Sequence, residues 1–506
     1  MEFLLLYGTC LILILSSLYL LGVLADRRRN LPPGPRPLPL VGNLLSLGAG
    51  HPHRSLARLA ERHGPLMALR LGSVNTVVAS SADAARDILQ RHDAAFSGRS
   101  ILDGTRAVAH FEHSMGWLPA SSPRWRTLRK VCSGELFAPH RLDADAHLSL
   151  RREKVRQLIA HMVRLARGGV PVRVGRLATT TALNLVSCTL FSTDFADLDD
   201  GVAAAPPAGE DFRSLLAELN TTAGLPNVSD FFPQLARLDP QGLRRRIERL
   251  FGRLRAMIEE QVERRLRERA AGEPAKKTFL DVLLDYRAAD DGRGFDRQTL
   301  LSLLSDLFTA GTDTTAATVE WVMAELLRNP SSMAKARAEI AQVIGSKPEV
   351  EESDIAQLKY LQAVVKETFR LHPPAPLLLP HQAETTTQIR GYTVPKGTRV
   401  LINVWAIGHD SEVWPEPEKF MPERFLEKEV GFHGRDFELL PFGSGRRMCP
   451  GTPLAMRMVH LMLASLLHRF EWRLPMEVEK NGLDMGEGHG LTLAMATPLQ
   501  AIATPV

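Results

Sequence analysis

Pro441–Gly451 reads PFGSGRRMCPG, which concentrates glycines, arginines and the chain's last cysteine in one short stretch. Within it Phe442, Gly445, Arg447, Cys449 and Gly451 spell F-x-x-G-x-R-x-C-x-G. The other cysteines, Cys10, Cys132 and Cys188, form no CxxC pair and keep no regular spacing. Neither a zinc site nor a disulfide framework is indicated, and a reducing compartment fits. A lone buried cysteine is ordinarily inert packing, which is the reading for Cys132 and Cys188, whereas the residues around Cys449 set it apart.

Outward from this stretch the chain reads as one large domain. Its 506 residues, 44% hydrophobic, can bury a large core, and no internal repeat or long Gly/Ser linker divides them. The patterning is mostly helical, with short strands at Leu66–Ser80 and Gly391–Asn403, so the fold class is mainly α with minor β. Between Gln241 and Ala270, apolar residues at Leu243, Ile247, Leu250, Leu254, Met257, Ile258, Val262 and Leu266 line one face of a long helix whose arginines are expected to face water. Gly201–Asp211, GVAAAPPAGED, reads as a surface loop.

A second long helix is expected from an N-cap at Asp296 to Asn329, before Pro330. Its middle, AGTDTT from Ala310 to Thr315, sets a glycine, an acid and hydroxyls into an apolar helix, where polar groups destabilise unless satisfied. Thr314 either bonds back to the Ala310 carbonyl or leaves it free, and a free carbonyl would bulge or kink the helix and open a groove. Farther on, ETFR places Glu367 and Arg370 on adjacent turns, where they can pair bidentately, and PERF, Pro422–Phe425, follows.

At the other end, Phe3–Leu24 is uncharged and at ~1.5 Å per residue spans ~33 Å, enough to cross a bilayer. A cleaved signal peptide is the rival reading. Glu2 ahead of the apolar run and Arg27, Arg28 and Arg29 behind it favour a retained anchor with the bulk of the chain on the cytosolic face. The sequons at Asn220 and Asn227 would then stay unglycosylated. Leu31–Asn43, rich in proline, is expected to be an extended connector. The net charge of +5 is a small surplus over 62 basic and 57 acidic side chains, which argues against nucleic acid as a partner.

Taken in order, the anchor, the proline stretch, WRTLR (Trp125, Arg129), AGTDTT, ETFR, PERF and the cysteine loop resemble the cytochrome P450 family across nearly the whole chain. The resemblance implies an anchor over 1–30, a hinge over 31–43 and a triangular helical domain over 44–506 around a buried haem b. It implies that Cys449 is the axial thiolate to iron, that Ala310, Phe442, Gly443 and Gly451 lie against the haem, and that Trp125, Arg129 and Arg447 serve its propionates. Where many relatives have arginine this chain has His381, a donor whose charge depends on pH. Glu367, Arg370 and Arg424 are implied as a buried network supporting the cysteine loop. A thiolate ligand favours O–O cleavage, and Cys449 before a helix starting near Gly451, with Pro450 at its first position, is expected to have its pKa lowered by the helix dipole, by nearby N–H groups and by the metal itself.

The resemblance further implies a monooxygenase that uses O2 and NADPH-derived electrons, with Asp313 and Thr314 relaying protons. No dinucleotide or flavin motif is present, so the expected donor is NADPH-cytochrome P450 reductase, docking on Arg124, Arg126, Lys130 and Arg446. The location implied is the endoplasmic reticulum membrane, single-pass, with Phe231 and Phe232 in a lid near the lipid. An apolar substrate is expected against Phe111, Leu304, Phe308, Ala310, Leu377, Leu378 and Leu491. At finer grain the motifs look like plant microsomal terpenoid hydroxylases, the group with geraniol hydroxylases and grass diterpene hydroxylases. The expected reaction is hydroxylation of a mono- or labdane-related diterpenoid, and a flavonoid 3'-hydroxylase-like activity is the second reading. A haem-thiolate isomerase or dehydratase without an electron donor, and a non-catalytic haem protein, are the other classes; Asp313 and Thr314 together argue against both.

Overall fold

In the computed structural model, which describes residues 30–48, 50–198, 212–288, 292–488 and 490–506, helices form the body and a small sheet closes one side. Leu66–Leu71 (β1) and Val74–Ala79 (β2) pair antiparallel across a turn in which Gly72 takes φ +62°, a conformation glycine adopts without steric penalty. Gly98–Arg99 (β3), His381–Gln382 (β4) and Arg399–Ile402 (β5) complete a sheet in the order β1-β2-β5-β4-β3. The β2–β5 pair is parallel, with Thr76 opposite Arg399. Residues 31–43 hold no helix, as expected, and dock on this sheet rather than hang free. The Ala68 N–H donates to the Pro33 carbonyl at 2.9 Å, and a Cβ on Gly34 would come within 1.9 Å of the Ala68 carbonyl oxygen. The expected anchor over Phe3–Leu24 and the expected loop over Gly201–Asp211 lie outside the described residues, among which no helix is long and apolar enough to cross a membrane.

The helical body comprises Pro123–Val131 (α1), Asp145–Arg167 (α2), Val174–Phe191 (α3), Phe212–Ala223 (α4), Leu243–Ala270 (α5), Arg297–Gly311 (α6), Asp313–Arg328 (α7), Pro330–Ile344 (α8), Lys359–Leu371 (α9) and Thr452–Arg469 (α10), among shorter elements. On α5, Leu243, Ile247, Leu250, Leu254, Ile258 and Val262 are buried, as their spacing predicts. The expectation that its arginines all face water is corrected at Arg255 and Arg265, which are buried. Each finds acceptors that offset its desolvation: Arg255 donates to the Val108 carbonyl at 3.0 Å and to Ser302 Oγ at 2.8 Å, and Arg265 pairs with Asp281 at 2.7 Å.

The two largest apolar clusters divide the interior. One joins α2, α7, α8, α9 and α10, with Trp321 and Ile340 in it. The other joins α1, α4, α5 and α6, with Leu219 and Phe308 in it. The central helix passes from the second to the first where AGTDTT falls. Asp296 caps α6 by accepting the Thr299 N–H at 2.8 Å, as expected. At Thr312, with φ −88° and ψ −68°, the helix breaks and restarts at Asp313. Thr314 Oγ1 nevertheless donates to the Ala310 carbonyl at 2.7 Å. The break was expected to require a free carbonyl; instead the hydroxyl satisfies that carbonyl while the backbone parts, a recognised effect of Thr bonding back by one turn.

Candidate active site

The cysteine loop owes its shape to backbone geometry. Gly443 and Gly445 take φ +68° and +67°, and a Cβ on Gly445 would meet the Leu89 carbonyl oxygen at 2.1 Å. The Cys449 N–H donates to the Phe442 carbonyl at 2.9 Å and closes the loop. Cys449 lies deep in the protein mass yet is exposed, so its side chain borders an interior space. Helix α10 starts at Thr452 with Gly451 as N-cap and a proline, Pro453, in its first turn. Pro450 therefore precedes the helix, a correction, and Pro453 takes the early position where a missing N–H is harmless. Burial raises the Cys449 pKa against the opposing pull of the Gly451 N–H, the Arg129 charge and Thr452. The local donors act in the expected direction, burial outweighs them in the protein alone, and the metal, the other expected contributor, would supply the rest. Cys132 and Cys188 are both pushed up to about 12, foremost by burial, and fit the inert reading.

Beside the sulfur stands a group of cations held mostly by carbonyls, with the Glu384 carboxylate acting on Arg447. Arg129 donates to the Met448 carbonyl at 2.6 Å, inside the cysteine loop. Arg447 lies over the Trp125 ring at 4.8 Å and donates to the Ser97 carbonyl at 2.8 Å, while Trp125 Nε1 donates to the Met115 carbonyl at 3.1 Å. Arg99 donates to the Leu379 carbonyl at 2.8 Å. Among the described residues their polar partners are carbonyls, and burial foremost brings Arg99 down to about 9 and Arg447 down to about 10. Buried cations that outnumber their counter-charges are costly, so the group fits a ligand that brings its own carboxylates. His381 fits the donor role less well than expected. Its Nδ1–H is committed to the Phe96 carbonyl at 2.7 Å, and burial, followed by the charge of Arg99, holds its pKa well below the ordinary value. Arg99, a single arginine on a two-residue strand that sequence patterning could not flag, is the charged group beside it.

The expected buried network is present. Arg370 and Glu367, both fully buried, pair bidentately at 2.8 Å, and Arg424 joins the same carboxylate at 3.1 Å. Arg370 also donates to the Gly408, Pro417 and Lys419 carbonyls, which makes it the organiser of residues 408–421. The link to the cysteine loop runs through packing, as Phe369 meets Phe442 edge-on at 5.4 Å.

The break between α6 and α7 borders a space of its own. Ala310 is exposed although Leu300–Ser305 are buried, so this helix face borders open space. Asp313 occupies the first turn of α7, where the helix dipole favours a carboxylate. Burial raises its pKa, and a hydrogen bond from Asn220 pulls the other way. A partly open cleft reaches from here between α4, α5 and α6. Its walls include Leu102, Trp117, Leu216, Leu243 and Phe251, with Asp306, Asn220 and Asp313 as polar points.

A sulfur open to an interior space, a surplus of buried cations beside it and a broken, polar central helix fit an iron porphyrin with acid groups. Comparison with known proteins agrees, since a family model, Cytochrome P450, matches residues 32–499. The chain belongs to the cytochrome P450 family. Among similar proteins are a geraniol 8-hydroxylase of Swertia mussotii, 46% identical over 96% of each chain, and one of Catharanthus roseus, 46% identical over 98% of this chain and 99% of that one. A ferruginol synthase of Salvia miltiorrhiza is 44% identical over 94% of each.

In this P450 the expected substrate-facing residues divide. Leu491 borders the cleft. Leu304 and Phe308 do not, because both are fully buried, with Phe308 stacked on Phe195 and Phe191. The helical period explains this correction: residues 306, 309 and 313 share the cleft face, which puts 304 and 308 on the opposite one. Phe111 lies beneath Arg106 at 5.2 Å, Leu377 packs toward the sheet, and Leu378 points to Gly443, so none of the three lines this cleft. Sequence reading missed Asp306, which accepts from His110 at 2.9 Å, from Ser114 at 2.8 Å and from the Met115 N–H at 2.9 Å, tying residues 110–115 to α6. The available signal was its spacing, two turns before Asp313 on one face.

Proposed function

We propose that this monooxygenase hydroxylates an apolar terpenoid, a monoterpenoid or a labdane-related diterpenoid, at a C–H bond. One oxygen atom of O2 enters the product and the other leaves as water, with two electrons from NADPH through NADPH-cytochrome P450 reductase. The observation that carries the reading is near full-length likeness to proteins named as terpenoid oxidising enzymes, and the apolar cleft supports it. Haem b would be held by Cys449 with Arg99, Arg129, Arg447 and Trp125 at its acid groups, and it would supply the iron at which dioxygen is activated. The chain's residues do the rest. Apolar walls exclude water and orient the substrate, and Asp313 with Thr314 holds and passes protons beside it.

The cytosolic orientation and the endoplasmic reticulum membrane remain part of this reading. Leu38, Leu40 and Leu45 are exposed, as are Leu235 and Leu238, and the two segments adjoin because Ser73 donates to the Phe231 carbonyl and Gly72 to that of Val41. These leucines make an apolar surface suited to lipid. Phe231 and Phe232, expected there, are half-buried instead. Of the cations proposed to meet the reductase, Arg126 and Lys130 are exposed, whereas Arg446 is engaged by Asp93 at 2.8 Å and Arg124 faces Asp296 at 3.6 Å.

Reductase-reconstituted enzyme offered monoterpenols, labdane-related olefins and flavonoids is expected to oxidise a terpenoid; product from flavonoids alone would move the assignment to the second reading. Thr314→Ala should fold, since it frees one carbonyl at a cost of about 1 kcal/mol. Haem and substrate binding should stay normal while coupled product formation falls by up to about 100-fold and peroxide rises. Tight coupling in that variant would remove Thr314 from proton delivery.

A further inference from the structure

Asn220, on the cleft wall α4, uses both ends of its side-chain amide. Its Oδ1 accepts the Leu491 N–H at 2.8 Å and the Thr492 N–H at 3.1 Å, and its Nδ2 donates to Asp313 Oδ2 at 2.6 Å. The orientation is unambiguous, because the backbone N–H groups can only donate and a carboxylate can only accept. The clasp has no slack. A Cβ on Gly224, just past α4, would come within 2.2 Å of the Gly490 backbone, so the helix end and the C-terminal loop meet main chain to main chain.

We propose that Asn220 is a positioning residue for the oxygenation reaction: it fixes the Asp313 carboxyl at the helix break so that the free oxygen, Oδ1, can take and pass protons. An amide suits this task since it orients a carboxyl without bringing a proton of its own that titrates. The clasp also joins three elements, α4, the break before α7 and residues 490–492, so the wall that touches substrate is the wall that holds the acid. Other charged groups around the cleft are engaged elsewhere. Asp306 is bound by His110, Ser114 and the Met115 N–H, and Asp230 accepts the Asp103 N–H at 2.6 Å with Arg399 nearby. Burial and Asn220 are what act on Asp313. The inference rests on the monooxygenase activity and not on which terpenoid is used.

Asn220→Asp separates positioning from packing. It keeps shape and the acceptor for Leu491 and Thr492, but loses the donor and sets a second carboxyl against the first. Two adjoining carboxyls cannot both ionise readily, so the titration of Asp313 should move upward by about one pH unit or more. The carbon-monoxide difference spectrum is expected to match wild type. The pH midpoint of product formed per NADPH should rise by the same amount, and Asn220→Leu, which loses both contacts, should uncouple at every pH. Turnover-independent infrared titration of the resting protein, with the Asp313 carboxyl band identified by its loss in Asp313→Asn, should show the same rise even if no panel substrate reacts. An unmoved band and an unmoved midpoint in Asn220→Asp would overturn the proposal, as would wild-type coupling in Asn220→Leu; absence of product from wild type with a shifted band would count against the substrate assignment alone.

Discussion

Arg370→Ala is expected to yield little or no haem-loaded protein. Its guanidinium satisfies both oxygens of Glu367 at 2.8 Å and the carbonyls of Gly408 at 2.6 Å and Pro417 at 2.7 Å. Alanine leaves a fully buried carboxylate with Arg424 and the Met421 N–H as its remaining partners, and strips donors from buried backbone. Breaking a buried pair costs about 3–5 kcal/mol. Each orphaned acceptor adds about 1 kcal/mol or more. Against a total stability of about 5–15 kcal/mol, that loss is a large fraction of what holds the fold. Carbon-monoxide-reactive haem per milligram of soluble protein, with a thermal melt, checks it. Arg370→Lys should rescue little, since an ammonium cannot reproduce the planar fork. A melt within a few degrees of wild type in Arg370→Ala would show that the network is dispensable.

Cys449→Ala should have the opposite profile, a folded protein without function. The loop is closed by the Cys449 N–H to Phe442 and shaped by Gly443 and Gly445, and none of these features needs the thiol. Stability should therefore change little, while the reduced carbonyl adduct loses its thiolate signature and product falls to background, because among the described residues no other cysteine lies in this loop. Retention of the thiolate spectrum in this variant would displace Cys449 from the metal.

Patterns of local spacing were legible in the sequence. The Asp296 cap, the apolar face of α5, the Glu367–Arg370 pair and the glycine-shaped cysteine loop each follow from residues close in the chain. Long-range pairings were not legible. Arg99 gains its role from neighbours contributed by residues 116 and 379, and Asn220 from residues 313, 491 and 492, so no periodicity marks either one. Leu304 and Phe308 show a subtler limit: an apolar residue on a central helix fits a core and a pocket equally well, and the helical phase decides once a cleft-facing partner such as Asp306 is known. At Cys449 the local donors were legible, whereas the burial that opposes them belongs to the whole fold.

The passage of the central helix from one apolar cluster to the other bears on how such a protein can diversify. Residues that face a guest molecule draw their support from the cluster around α4, α5 and α6, whereas the scaffold behind the cysteine loop draws on the cluster around α7 to α10. Substitutions that reshape the first compartment therefore fall on packing that the second scarcely shares. A lineage can accumulate new guest preferences around α4 and α5 while selection keeps the packing of α7 to α10 intact.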